Sequence, residues 1–242
     1  FALGTGLVAG IFPALYFGGL NPIQALKNKA HAGSSGMRVR KVLTVFQFAL
    51  SFGFILSLVV FSRQYQYSLN FDFGFAKENI VDVKLQGVKP ELVKAEFSQL
   101  ASVQSVAMSS ELMGLSYSNT WVKNADKDSA EVSQLFVDRN YLSMFGLTLL
   151  AGSNFPEEPW QRELFIIVNE EFLKTYKIQT PAEAIGRTYL VDGNELEVLG
   201  VVKNFHFASL RYPITHFFFR MNPEHFAYSH LKVNTLDAFA MF

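Results

Sequence analysis

The 242-residue chain carries 21 basic and 21 acidic residues, so its net charge is zero, which argues against a nucleic-acid partner that would demand a basic face. Half of the residues are hydrophobic, 25 are Phe and only 17% are charged, a balance that fits a part-membrane, part-globular object better than a plain soluble domain. Cysteine is absent, which is compatible with an exported compartment without requiring one. The chain also opens on Phe1 inside an apolar stretch, as a piece of a longer protein would.

Phe1 to Leu20 is uncharged, and Gly6, Gly10 and Ala14 recur at four-residue spacing. That spacing puts them on one helix face, where small side chains let a neighbouring helix approach closely in lipid. Residues 1–20 therefore read as the end of a transmembrane helix. In the segment 21–41, Asn21 can cap and Pro22 can open a short helix that carries Ile23, Ala25, Leu26, Lys27 and Lys29, with Ile23 and Leu26 on one side. Ala32 to Gly36 (AGSSG) reads as flexible linker.

Val42 to Phe61 is the strongest signal: twenty residues without a charge, fourteen of them Val, Leu, Ile or Phe. As a helix this run is roughly 30 Å long, the thickness of a bilayer's hydrocarbon core. A buried core helix can be equally apolar but is usually shorter and rarely flanked by basic residues at both ends, whereas Arg38, Arg40 and Lys41 precede this run and Arg63 follows it. No small-residue cleavage site follows, so a signal peptide does not fit. The transmembrane helix is assigned to 42–64, with Tyr65 and Tyr67 at an interface and Ala49, Gly53 and Ser57 as a second small-residue packing face. Lys27, Lys29, Arg38, Arg40 and Lys41 crowd the preceding side, which is therefore cytoplasmic, and the remainder lies across the membrane.

From Phe71 onward the apolar period changes to alternating short strands and helices. Val81, Val83 and Leu85 alternate with Asp82 and Lys84 as a strand; Pro90 and Glu91 open a helix with Val93, Phe97 and Leu100 on one stripe; Val103 to Met108 is again a strand. Asn124 to Asp128 reads as a turn between strands. Asp138 is placed to cap a helix through Tyr141, Leu142 and Phe145 that Gly146 stops, and Pro156 to Pro159 is a loop. Phe165 to Val168 is a compact strand, and Asn169 can cap a helix over Glu170 to Tyr176. Asp192-Gly193 between Arg187–Val191 and Glu195–Val202 is the strongest hairpin signal. Residues 65–242 thus form an α+β domain of mixed short strands and helices, large enough for one core or two lobes, attached to transmembrane α-helices.

No catalytic set emerges. There is no G-x-S-x-G turn for a nucleophilic serine, and His206, His216, His225 and His230 lack metal-ligand spacing. His206, between Phe205 and Phe207, reads as structural, with its imidazole bonded to backbone. Glu157-Glu158 and Glu170-Glu171 are sequence neighbours that point apart, not an acid/base pair. No phosphate loop occurs, so the chain does not itself hydrolyse ATP, and no cofactor is expected. Phe217-Phe218-Phe219 reads as a buried strand.

Gly10-Ile11-Phe12-Pro13-Ala14, then Pro22, Ala25 and Leu26, resembles the G-x-[YF]-P-A…P-x-x-A-L signature that closes the transmembrane unit of FtsX-like ABC transporter permeases. Arg40-Lys41-Val42-Leu43 with Phe46-Gln47-Phe48 resembles the helix that opens the next unit in two-unit bacterial members. Val168 to Phe172, Ala184-Ile185-Gly186 and Val198 to Phe207 with Ser209, Leu210 and Pro213 resemble the closing part of a MacB-like periplasmic core domain, here truncated at its C-terminal end.

The resemblance implies a permease subunit fragment in a bacterial inner membrane, multi-pass, with the globular domain periplasmic or extracellular. It also implies a cytoplasmic ABC ATPase partner contacting Pro22 to Lys29, membrane lipid around the helices, and a second permease copy or a periplasmic partner protein. The substrate class would be lipid, lipoprotein, peptide or drug. The competing reading is a membrane-anchored sensor or adhesion module with an extracytoplasmic ligand-binding domain. A tethered periplasmic enzyme is a third.

Overall fold

The computed structural model describes residues 10, 11, 15, 34–124, 128–157 and 163–234. The chain divides into two units, Phe1–Phe71 and Asp72–Phe242.

The first unit is dominated by one helix, α1, Ser34–Asn70. It starts inside the expected linker and runs past residue 64, because Met37, Arg38, Arg40 and Lys41 are good helix formers and no Gly or Pro follows Gly53 to stop it. The most apolar 18-residue window within Val39–Asn70 has a mean hydropathy of 2.2 and none of it is buried, which a core helix of a soluble protein would be. Two hydroxyls in its apolar run bond within the helix, which suits a lipid environment: Thr44 and Ser57 donate to the Arg40 and Gly53 carbonyls at 2.9 and 2.8 Å. Asn70 donates to the Gln66 carbonyl at 3.0 Å in the last turn.

The second unit has two sheets. The smaller is antiparallel, ordered β1 (Ile80–Lys84), β10 (Tyr228–Val233), β2 (Val103–Ser109). Alternation puts Val106, Met108, Leu231 and Val233 on one face, where Val93 and Phe97 of α2 (Pro90–Phe97) cover them. Leu100 lies beyond the end of α2 and is exposed, so the expected stripe ends at Phe97.

The larger sheet is ordered β5-β8-β6-β9-β4-β3-β7, and β7 (Thr188–Val191) also pairs with β8 (Asn194–Val202). That extra pairing closes six strands into a barrel: β3 (Ser118–Lys123), β4 (Ser129–Phe136), β9 (Phe217–Arg220), β6 (Phe165–Asn169), β8 and β7, with β5 (Leu149–Gly152) appended to β8. Every barrel strand contributes to one buried cluster, for example Val122, Val132, Phe218, Ile166, Leu196 and Val191, so this cluster is the barrel interior. Phe172 and Leu173 of α4 (Glu170–Thr175) belong to it as well. A second cluster lies on the barrel's outer face, where Leu135, Ile167, Phe217 and Phe219 meet Tyr141 and Leu142 of α3 (Asn140–Met144) and Ala107 of the small sheet. The domain therefore has a barrel core, a core between barrel and small sheet, and a third under α2.

The hairpin signal is realised as β7 and β8, with Asp192 at φ 50° and Gly193 at φ 83°, the two positive values that a tight primed turn requires. Asn169 caps α4 as expected, accepting from the Phe172 amide at 3.0 Å. Asp138 does not cap α3: Arg139 holds the cap position without a side-chain bond, and Asp138 is drawn instead to Lys94 of α2 at 2.7 Å. A buried carboxylate gains more from a cation than from an amide already near a carbonyl. The short α5 (Pro181–Ala184) was not foreseen.

Candidate functional site

One end of the barrel is open, and the alternation of β9 explains its chemistry. Phe217 and Phe219 face outward and Phe218 inward, so Arg220 also points inward, where the strand stops. The Arg220 side chain is 4% exposed, and its guanidinium could not be left there unpaired. Its Nε donates to Glu163 Oε2 at 3.1 Å, a terminal nitrogen donates to the same oxygen, and the other donates to Gln134 Oε1 at 2.9 Å and Asp192 Oδ2 at 2.5 Å. Thr120 donates to the second oxygen of Asp192 at 2.5 Å. Burial tends to raise the Asp192 pKa, but the bonds from Thr120 and Arg220 and the Arg220 charge outweigh it and hold this carboxyl below the usual value.

Phe136 completes the wall. Arg220 lies 4.8 Å from its ring centroid, and His225 stacks on it with centroids 4.1 Å apart and ring planes 18° from parallel. The resulting cleft has a volume of about 660 Å³ and is otherwise lined by polar residues such as Ser118, Asn194 and Asn222. Open barrel ends are a common place for ligand sites.

A second polar constellation pins the small sheet. Neighbouring positions on one face bring Asp82, His230 and Ser109 into line: His230 Nδ1 is 2.6 Å from Asp82 Oδ1, and its Nε2 is 2.7 Å from Ser109 Oγ. The order of groups is that of a Ser-His-Asp triad, but the proton directions are not. Ser109 Oγ spends its only hydrogen on the Glu111 carbonyl at 2.6 Å, so Nε2 must donate to Oγ, whereas a nucleophilic serine donates to its histidine. Ser109 and His230 are both completely buried, and Tyr141 and Phe145 meet the imidazole edge-on at 5.2 Å. The group is a structural fastening of β1, β10 and β2.

Among the residues expected to contact an ATPase, Pro22, Ile23, Ala25, Leu26, Lys27 and Lys29 lie outside the described residues, as do Gly6 and Ala14. Gly10 is helical and exposed. Ala49, Gly53 and Ser57 are exposed on α1 at four-residue spacing, and a side-chain carbon on Gly10 or Gly53 would meet nothing within 4 Å. His206 is held through its backbone amide, which donates to Phe73 at 2.8 Å. Sequence reading missed the Arg220 cluster and the Asp82–His230–Ser109 line, whose members lie up to 148 residues apart and meet only through strand pairing. Arg220 directly after three buried Phe was the one available clue.

An apolar helix unburied over Val39–Asn70, followed by a barrel-and-sheet α+β domain, defines a membrane-anchored module. Residues 42–232 match the MacB-like periplasmic core domain, and the chain belongs to that family, a component of ABC-type transporter permeases and not a classical enzyme. No curated protein matches the chain. Among solved structures it is similar to the periplasmic region of MacB from Actinobacillus actinomycetemcomitans, at 14% identity and TM-score 0.48 over 69% of this chain and 81% of that one. It is also similar to the extracellular domain of the noncanonic ABC-type transporter YknZ from Gram-positive bacteria (11%, TM-score 0.46, 65% and 81%). A domain of a putative permease from Porphyromonas gingivalis is similar as well (12%, TM-score 0.43, 65% and 74%).

Proposed function

We propose that the chain is part of a permease subunit that couples ATP hydrolysis by a separate cytoplasmic ATPase to conformational change in the periplasmic domain. The change would serve export or extraction of a lipid, lipoprotein, peptide or drug in a bacterial inner membrane. The observation that carries this reading is the continuity of α1: one helix of 37 residues, about 55 Å long, that ends one residue before the last of the first unit. It contains no Pro, and Gly53 is its only glycine after Gly36, so a displacement at one end is not absorbed along the rod.

In this reading Pro22, Ile23, Ala25, Leu26, Lys27 and Lys29 contact the ATPase. Gly6, Gly10 and Ala14, and Ala49, Gly53 and Ser57, pack helices within the membrane or against a second permease copy, with lipid around them. A periplasmic partner protein would engage the domain.

The test uses the full-length permease with its ATPase. Reversing Lys27 and Lys29 to Glu, or Leu26→Asp, should abolish co-purification of the ATPase. Val60→Pro should leave the complex assembled but uncouple ATP turnover from the periplasmic domain. Retention of normal coupling in both variants would sink the proposal, as would topology reporters at Gly36 and Gln86 that report one compartment. The same reporters and the ATPase pull-down separate the permease from a membrane-anchored sensor.

A further inference from the structure

We infer that the open end of the barrel binds a primary ammonium group presented by a polypeptide, most simply a lysine side chain. This goes beyond the transport reading and uses none of the residues assigned to coupling. The first observation is an imbalance. Among the described residues two carboxylates, Glu163 and Asp192, face one guanidinium, Arg220, with the His225 ring beside them, so carboxylates outnumber the fixed cation. The second is a specific vacancy in hydrogen bonding. The Glu163 side chain is 7% exposed and lines the cleft, yet both of its bonds from Arg220 fall on Oε2, and Oε1 is buried without a hydrogen-bond partner among the described residues. A buried carboxylate oxygen left unpaired is costly, and a charged donor is what relieves it.

The geometry selects the donor. A guanidinium recognises a carboxylate through two parallel bonds, one to each oxygen, and Oε2 is already saturated by Arg220. An ammonium is a point charge with three donors, suited to one oxygen of Glu163 with its other hydrogens on the half-exposed Asp192 and the amide oxygens of Asn194 or Asn222. A divalent cation would need more ligands than Glu163 and Asp192 supply, and among the described residues no three acidic, His or Cys side chains gather as ligands. The presenter follows from the lining. Phe136 is the one apolar residue among the described lining residues, and its two aromatic contacts, Arg220 and His225, leave little surface for an acyl chain. The hydroxyl and amide side chains of Ser118, Asn194 and Asn222 match the peptide groups that would flank a lysine.

The experiment uses the whole chain in phosphatidylcholine vesicles, whose lipid carries no primary amine, in phosphate buffer. Ligand-observed NMR compares Nα-acetyl-lysine methylamide with its norleucine and arginine analogues and with phosphoethanolamine. The lysine probe should bind saturably, and the norleucine probe, which keeps the four-carbon chain but lacks the ammonium, should not. Glu163→Gln should weaken the lysine probe roughly tenfold or more, with folding checked by circular dichroism. Should that variant unfold, Asp192→Asn, which should weaken the same probe, and the lysine-against-norleucine comparison on the unaltered chain still decide. Equal binding of lysine and norleucine probes, no saturable lysine binding, or an unchanged affinity in folded Glu163→Gln overturns the site. Stronger binding of phosphoethanolamine than of the lysine probe overturns the polypeptide assignment in favour of a lipid headgroup.

Discussion

The side-chain oxygen of Asn169 accepts a hydrogen bond from the Phe217 amide at 3.0 Å, joining the start of α4 to the start of β9. The same oxygen accepts from Phe172 N at 3.0 Å, and the amide nitrogen donates to the Thr215 carbonyl at 2.8 Å. One completely buried side chain thus caps a helix and seats the strand that carries Arg220.

Asn169→Ala should remove all three bonds and leave two buried amides without partners. Loss of a cap costs about 0.5–2 kcal/mol and an orphaned buried group about 1–3 kcal/mol, so a destabilisation of about 3 kcal/mol is expected. Asn169→Ser keeps a neutral helix-capping acceptor and should cost less than Asn169→Ala. Urea unfolding midpoints, with unchanged slope, measure both. Equal losses in the two variants would show that the acceptor role is not the one that matters.

Ser109→Ala should destabilise the small sheet by about 1–3 kcal/mol, because the His230 Nε2 hydrogen then has no acceptor. The substitution should leave any background hydrolysis of activated esters unchanged. A drop in ester turnover in the variant would mean that Ser109 acts as a nucleophile, against the proton directions found here.

Asp192 gives acid sensitivity with a definite sign. Its folded pKa lies below the unfolded value near 3.8, so the stability it contributes is present above that value and is lost as pH falls through the folded pKa. Thr120→Val removes a bond that lowers this pKa, so acid unfolding should begin at higher pH than in the parent. Asp192→Asn should flatten that part of the acid limb. Circular dichroism titrations at fixed ionic strength read both, and an unshifted midpoint in Thr120→Val would refute the role given to its hydroxyl.

Much of the fold was legible because its signals are local. The charge-free run after Lys41 marks α1, Asp192-Gly193 marks the hairpin, and Asn169 ahead of an amphipathic turn marks α4. α1 runs on past residue 64 to Asn70 because polar residues without Gly or Pro continue a helix that apolar ones have nucleated. Asp138 misled because a cap signal cannot see Lys94, 44 residues away. Barrel closure, and with it the Arg220 cleft, depends on β7, the first arm of that hairpin, also pairing with β3 far earlier in the chain, a relationship that no window of sequence contains.

Tyr176 ties α4 to the barrel by donating to the Val122 carbonyl at 3.1 Å, and its ionisation should be delayed. Burial first, then Tyr189 and Asp128 nearby, push its pKa from 10.0 to about 12. The raised value means that its stabilising contribution is complete below pH about 10 and disappears as pH rises toward 12. Tyr176→Phe lacks the hydroxyl at every pH. At neutral pH the parent should therefore be more stable by about 1 kcal/mol, the net worth of one hydrogen bond. Because ionisation penalises only the parent, that difference should shrink between pH 10 and 12 and then reverse. Tyr189, which burial also raises, and Tyr141 titrate in both proteins and cancel in the comparison. Urea unfolding of the pair across this range, with tyrosinate absorbance followed in parallel, tests the assignment. A difference that stays constant with pH would place the late-titrating hydroxyl elsewhere.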